Sequence, residues 1–212
     1  MTELEDKHIA ILREYAAECA VILKKNEQFP LKTACKIALY GNGARQTVKG
    51  GTGSGDVYSR AYQTIEDGLE RASFTVTTKK WLDAYDKERD SWRKGFYDGI
   101  KRRAAEKGVS LFVEGFGAVM PEQDYDFPLD GEGDVALYVL SRNAGEQNDR
   151  HSEKGDALLT DSEVRDILAL EQKYKRFMLV LNVGSVVDLS PIVDEIGKNI
   201  CGPGADAHIT GR

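Results

Sequence analysis

Along residues 3 to 25, Ile9, Leu12, Tyr15, Ala16, Cys19, Ile22 and Leu23 recur at three- and four-residue spacing, which predicts one helix with an apolar face. Pro30 removes a backbone donor and biases Phe29 away from helix, so NEQFPL ends it. CKIALYG (35–41) is a short apolar run closed by glycine and reads as a buried strand, followed by the glycine-rich loop GNGARQTVKGGTGSGD. Tyr58, Ala61, Ile65, Leu69 and Ala72 space a second helix, and FTVTT (74–78) alternates as a strand. The stripe Trp81, Tyr85, Trp92, Phe96, Ile100 and Ala104 predicts a long helix reaching Gly108. Between Gly108 and Gly133 the pattern weakens: VSLFVEG fits a strand and the rest reads as loop. DVALYVLS (134–141) is the strongest strand, a continuous apolar run suited to a sheet covered on both faces. After a charged loop, Thr160 and Glu163 form a capping box that opens a helix with Val164, Ile167, Leu168 and Tyr174 on one face. FMLVLNVG (177–184) reads as another buried strand, and Ser190-Pro191 opens a short helix that Gly197 ends.

Strands alternating with helices predict an α/β fold: a doubly wound, mostly parallel sheet with helices on both faces. Residues 1–199 read as one sandwich domain with an N-terminal helix, and 200–212, which lacks any period, as an irregular tail. The helix after the last clear strand should lead to a further strand. Only the weak start KNIC follows, so the domain reads as clipped.

Composition narrows the function classes. A net charge of −6 offers no basic field for nucleic acid or an anionic membrane. No run approaches the roughly 18 apolar residues of a membrane span. The N-terminus MTELEDKHIAIL is charged and helical rather than a signal sequence, so a reducing, cytoplasmic setting is the simplest reading. Cys19 and Cys35 lie in apolar surroundings and read as small core residues. With no CxxC or Cys/His ligand spacing and no HExxH, neither a metal nor a cofactor is expected.

Two loops could carry chemistry. YGNGARQ has the G-x-G of a dinucleotide fingerprint but Gln46 where the third glycine belongs, and GGTGSGD lacks the Lys-Ser/Thr of a phosphate loop. Its plainer reading is a tight glycine turn packed against another domain. SRNAGEQNDRHSEKGD (141–156) lies just past the carboxyl end of the best strand, where open α/β sheets place ligand groups. It gathers Arg142, Glu146, Asp149, Arg150, His151, Glu153, Lys154 and Asp156. A partly desolvated carboxyl there would hold its proton more tightly and could act as a general acid, while a solvated charged loop is the bland alternative. Trp81, Trp92 and Phe96 could stack on a sugar, but their helical spacing favours packing.

Four strings, in order over residues 18 to 190, resemble glycoside hydrolase family 3: ECAVILKKNEQFPL, KIALYGNGARQTVKGGTGSGDV, SRNAGEQNDRHSEKGDALLTDSE and LVLNVGSVVDLS. The resemblance implies the α/β sandwich domain of a retaining β-glycosidase, often a β-glucosidase, in which a (β/α)-barrel supplies the nucleophilic Asp and the sandwich the general acid/base Glu. In the G-E-x-x-D-R pattern that Glu matches Glu146, although Gln147 replaces the usual glycine. A plant-type pattern would point to Glu153 instead. Arg142, Asp149 and Arg150 are then expected to bind substrate or hold the loop. The partners implied are a β-glycoside and a barrel domain absent from this chain, and a homo-oligomer stays open. No S-D-W nucleophile string or K-H-F sugar-binding string occurs, so the chain alone is expected to be inactive. The rival readings are a non-catalytic carbohydrate-binding or assembly module on the same scaffold, or a nucleotide-binding α/β protein.

Overall fold

The computed structural model describes residues 2–24, 28–53, 55, 57–145 and 149–193. They fall into two compact units, Met1–Leu31 and Lys32–Arg212.

In the first unit the predicted helix is shorter than its apolar stripe. α1 spans Glu3–Tyr15, opened by a Thr2–Glu5 capping box, and gives way to a 3-10 turn at Ala16–Cys19. None of its residues is buried, and Cys19 is exposed, against the expectation of a core thiol. Cys35 is only half-buried, because it sits just ahead of the first strand, where its carbonyl accepts from Thr75 N. Cys201 lies outside the described residues.

The second unit carries the sheet. β1 is Lys36–Tyr40, β2 Thr75–Val76, β3 Val135–Arg142 and β4 Arg176–Val183, all parallel in the order β2-β1-β3-β4. The helices between them are α2 (Ile65–Arg71), α3 (Lys79–Lys107), the short α4 (Leu111–Gly115) and α5 (Asp161–Lys173). The step from β1 to β2 runs opposite to the steps that follow it. The right-handed rule for parallel crossovers then puts α2 on one face and α3 and α5 on the other. This is the doubly wound arrangement expected.

β3 is buried along its whole length, as its uninterrupted apolar run predicts. β4 is only half-buried, because it ends the sheet and pairs with β3 alone among the described strands. β2 is shorter than FTVTT because the Thr78 hydroxyl replaces the ladder: it accepts from Leu39 N at 2.9 Å and donates to Leu39 O, and α3 starts at the next residue. The second helix begins late, at a Thr64–Asp67 capping box, and 57–64 are irregular. VSLFVEG is a helical turn rather than a strand. Ser110 caps it by accepting from Val113 N, and Glu114 ties it to Arg103 and Lys107 of α3. α3 stops at Gly108, which takes the left-handed conformation at φ 64°.

The aromatic stripe of α3 is mostly core. Trp81 meets Tyr40, Tyr125 and Phe127 edge-on and stacks on Tyr85 at 5.4 Å. Trp92 abuts Tyr85 at 5.9 Å. No described helix is long and apolar enough to cross a membrane.

Candidate functional site

β1 and β3 are adjacent, and the segments leaving them turn to opposite faces. Their carboxyl ends therefore flank the crevice where open α/β sheets hold ligands. The chain has an open cleft of about 1580 Å³ there, lined by Asn42 beyond β1, by Ser141, Arg142 and Asn143 at the end of β3, and by Glu122. Phe96 and Tyr97 of α3 and Phe112 and Phe116 around α4 line it too.

The glycine-rich loop serves packing. Gly41 has φ 89°, and a Cβ there would lie 2.4 Å from the Val139 carbonyl oxygen, so only glycine lets the chain leave β1 against β3. Arg45 is engaged with Glu66 at 2.5 Å, Asp83 at 2.7 Å and Asp86 at 3.0 Å, which binds the loop to α2 and α3. The Asn182 amide of β4 brackets Val48, accepting from its N–H and donating to its carbonyl. Thr52 N donates to Ala144 O at 2.9 Å, joining this loop to the strand stub that follows β3.

The charged loop is anchored at both ends. Arg142 is buried at the end of β3, and its guanidinium donates to Ser141 O, Asp156 O and Glu163, the last at 2.5 Å. Glu163 is also the capping-box residue of α5, accepting from Thr160 N at 2.9 Å. On the returning side, Arg150 pairs with Asp156 and donates to Ser185 Oγ at 2.6 Å. Asp156 also accepts from His151 N. The turn at 153–158 closes on Gly155.

Glu146 lies outside the described residues, which include Gly145 before it and Asp149 after it. Asp149 and Glu153 are exposed and line the cleft; Arg150 and Arg142 line it from half-buried and buried positions. Glu153 sits on the turn, where its carbonyl accepts from Asp156 and Leu158 N. Single ligand atoms of His151, Glu153 and Asp156 lie within 4.8 Å of one another, but Asp156 is already occupied by Arg150.

Glu122, Asn42 and Tyr85 form a buried polar cluster that the sequence reading missed. Glu122 Oε2 accepts from Asn42 Nδ2 at 2.8 Å, and Oε1 accepts from the Tyr85 hydroxyl. Burial pushes the Glu122 carboxyl above the usual range and the nearby charge of Glu163 adds to this, while the Tyr85 and Asn42 donors and Arg142 pull it back. Burial likewise pushes the Tyr85 hydroxyl well up. The only sequence cue was a lone glutamate in the aperiodic stretch MPEQDY.

Against this geometry the comparisons are specific. A family model described as the glycosyl hydrolase family 3 C-terminal domain matches residues 20–200. A beta-glucosidase of Ruminococcus albus is 28% identical over 195 residues, and beta-glucosidase A of Butyrivibrio fibrisolvens 27% over 196. Those alignments cover 88% and 86% of this chain but only 19% and 23% of the relatives. The structure of beta-glucosidase 3B from Thermotoga neapolitana in complex with alpha-D-glucose superposes with a TM-score of 0.67 at 28% identity, over 89% of this chain and 26% of that one. A beta-glucosidase from Paenibacillus barengoltzii gives 0.59 at 25%, over 87% of this chain and 19% of that one.

Proposed function

The chain belongs to glycoside hydrolase family 3, as its C-terminal domain, and from that premise we propose that it supplies the general acid/base of a retaining β-glucosidase, with Glu146 as that group. The observation that carries this reading is where the loop starts and returns. Ser141–Gly145 leave the end of β3, and Asp149–Asp156 come back beside them, both lining the cleft at the β1/β3 switch point. Those two stems stand where open α/β sheets hold their ligands.

The chemistry asks for such a placement. A retaining mechanism needs two carboxyl groups about 5–5.5 Å apart across the scissile bond. One attacks the anomeric carbon; the other first gives a proton to the departing oxygen and later takes one from water. That second group must change protonation state within a turnover, so its affinity for the proton has to match the working pH. Setting it on a loop at a domain edge lets a second domain exclude water and raise that affinity. The relatives are four to five times as long as the part matched here, which leaves room for a barrel bearing the nucleophile. Arg150, held by Asp156 and Ser185, and exposed Asp149 line the cleft as that loop returns, and in this reading they bind substrate hydroxyls or hold the loop.

Combining this chain with a family 3 barrel domain is expected to hydrolyse aryl β-glucosides, which neither part does by itself. Titration of the chain with glucose is the companion measurement. A stable complex of the two domains without hydrolysis, together with glucose binding to this chain alone, would instead mark a non-catalytic sugar-binding module.

A further inference from the structure

We infer that Glu122 is a positioning residue for the proposed reaction, clamping both stems of the loop that carries Glu146. The inference rests on the reading of that loop as the acid/base loop.

The outgoing stem is held through Asn42. β1 ends at Tyr40, two residues short of Asn42, and the Asn42 side chain continues the ladder in place of backbone. Its Oδ1 accepts from Ser141 N at 2.7 Å and its Nδ2 donates to Ser141 O at 3.0 Å. An amide nitrogen has two hydrogens, and the second goes to Glu122 Oε2 at 2.8 Å. Glu122 thereby reinforces the amide orientation that both Ser141 bonds require, and holds the Asn42 side chain against β3. The returning stem is held by Glu122's own backbone: its N–H donates to Gly155 O at 2.9 Å. The two chains pass so closely that a Cβ on Gly155, at φ 84°, would lie 1.9 Å from Glu122 O. Tyr85 of α3 fixes the other carboxylate oxygen. One residue, 8% exposed, thus joins the last residues of β3 to the far end of the loop. The titratable and charged groups facing its carboxyl are Tyr85 on α3, Tyr138 and Arg142 on β3 and Glu163 on α5.

The test compares Glu122→Ala and Glu122→Gln, in the chain assembled with a barrel domain and in the chain by itself. In the assembled enzyme, Glu122→Ala is expected to lower kcat by about 10- to 100-fold with KM little changed, as loss of catalytic placement does. The basic limb of kcat/KM, which reports the proton donor, is expected to move as well, a change that a merely structural loss would not produce. Gln, which keeps an oxygen toward Asn42, is expected to restore most of the lost kcat. In the lone chain, Glu122→Ala should speed amide exchange at Ser141, whose N–H bonds Asn42, and at Ala144 and Gly145 of the outgoing stem, while Val135–Leu140 of β3 and α5 stay protected. Wild-type kcat and pH profile in Glu122→Ala would overturn the inference, as would exchange that rises equally across the sheet. If instead Glu146→Ala keeps wild-type turnover, the acid/base reading fails, and exchange in the lone chain still decides whether Glu122 clamps the stems.

Discussion

Arg142→Met is expected to destabilise the domain by about 3–5 kcal/mol, the usual cost of leaving a buried charge without its partner. The two side chains of the Arg142–Glu163 pair are 4% and 1% exposed. Glu163 Oε2 takes both Arg142 and the Thr160 amide, while Oε1 has no hydrogen-bond partner among the described residues. Without the guanidinium, this carboxylate keeps one neutral donor in a dry site. The loss reaches Glu122 as well, since Arg142 is the cation that opposes the repulsion between Glu122 and Glu163. Two buried carboxyls of one sign would then face each other.

The pH dependence follows from the same arrangement. Glu122 is already pushed above its ordinary range, so the folded state binds its proton more tightly than the unfolded chain does. The stability this contributes is present below the ordinary glutamate range and is lost as pH rises through the raised one. Removing Arg142 raises Glu122 further, so the deficit of Arg142→Met should grow from pH 5 to pH 8. Urea unfolding at those two pH values measures it. Arg142→Met/Glu163→Leu should recover part of the loss, because both members of the ion pair are removed together, but not all, because Glu122 still lacks its cation and the Thr160 amide loses its acceptor on α5. A single variant as stable as the wild type at pH 8 would mean that the pair adds nothing.

Much of this architecture was legible because it is local. The unbroken apolar run of β3, the Thr160–Glu163 capping box and the stop at Gly108 are each written in a few consecutive residues. The second role of Glu163, as the partner of Arg142, is not local: the two residues are 21 apart and the cap alone explains the glutamate. Glu122 was invisible for the same reason, as its partners Asn42 and Tyr85 lie 80 and 37 residues away and its own segment has no period. VSLFVEG misled because a short apolar run fits strand or helix alike. What decided it was Ser110 as a cap and two basic residues on α3. The half-exposed β4 could not be anticipated either, since an apolar strand reads the same at the edge of a sheet as at its centre. The family strings around Glu146 were legible as sequence, but their consequence is chemical and has to be tested as chemistry.

Glu146→Ala in the chain assembled with a barrel domain is expected to lower turnover of poorly activated β-glucosides by about 10²–10⁴-fold, the range for losing a positioned proton donor. The loss should depend on the leaving group. An alkyl or sugar alcohol departs only when protonated, whereas a dinitrophenolate leaves unaided, so dinitrophenyl glucoside should still form the glucosyl-enzyme at a rate close to wild type. Hydrolysis of that intermediate then becomes slow, because no base activates water. Azide needs no base, and with the carboxylate gone it is no longer repelled from the site. Its addition should restore turnover and yield β-glucosyl azide, the anomer that two successive inversions require. The basic limb of the pH profile, which reports the acid, should vanish along with the side chain. Glu153→Ala provides the contrast: on its exposed turn, it is expected to leave leaving-group dependence and pH profile unchanged. If azide rescue and the flattened profile appeared in Glu153→Ala and not in Glu146→Ala, the proton donor would be Glu153, on the returning stem, and the G-E-x-x-D-R pattern would have pointed to the wrong carboxyl.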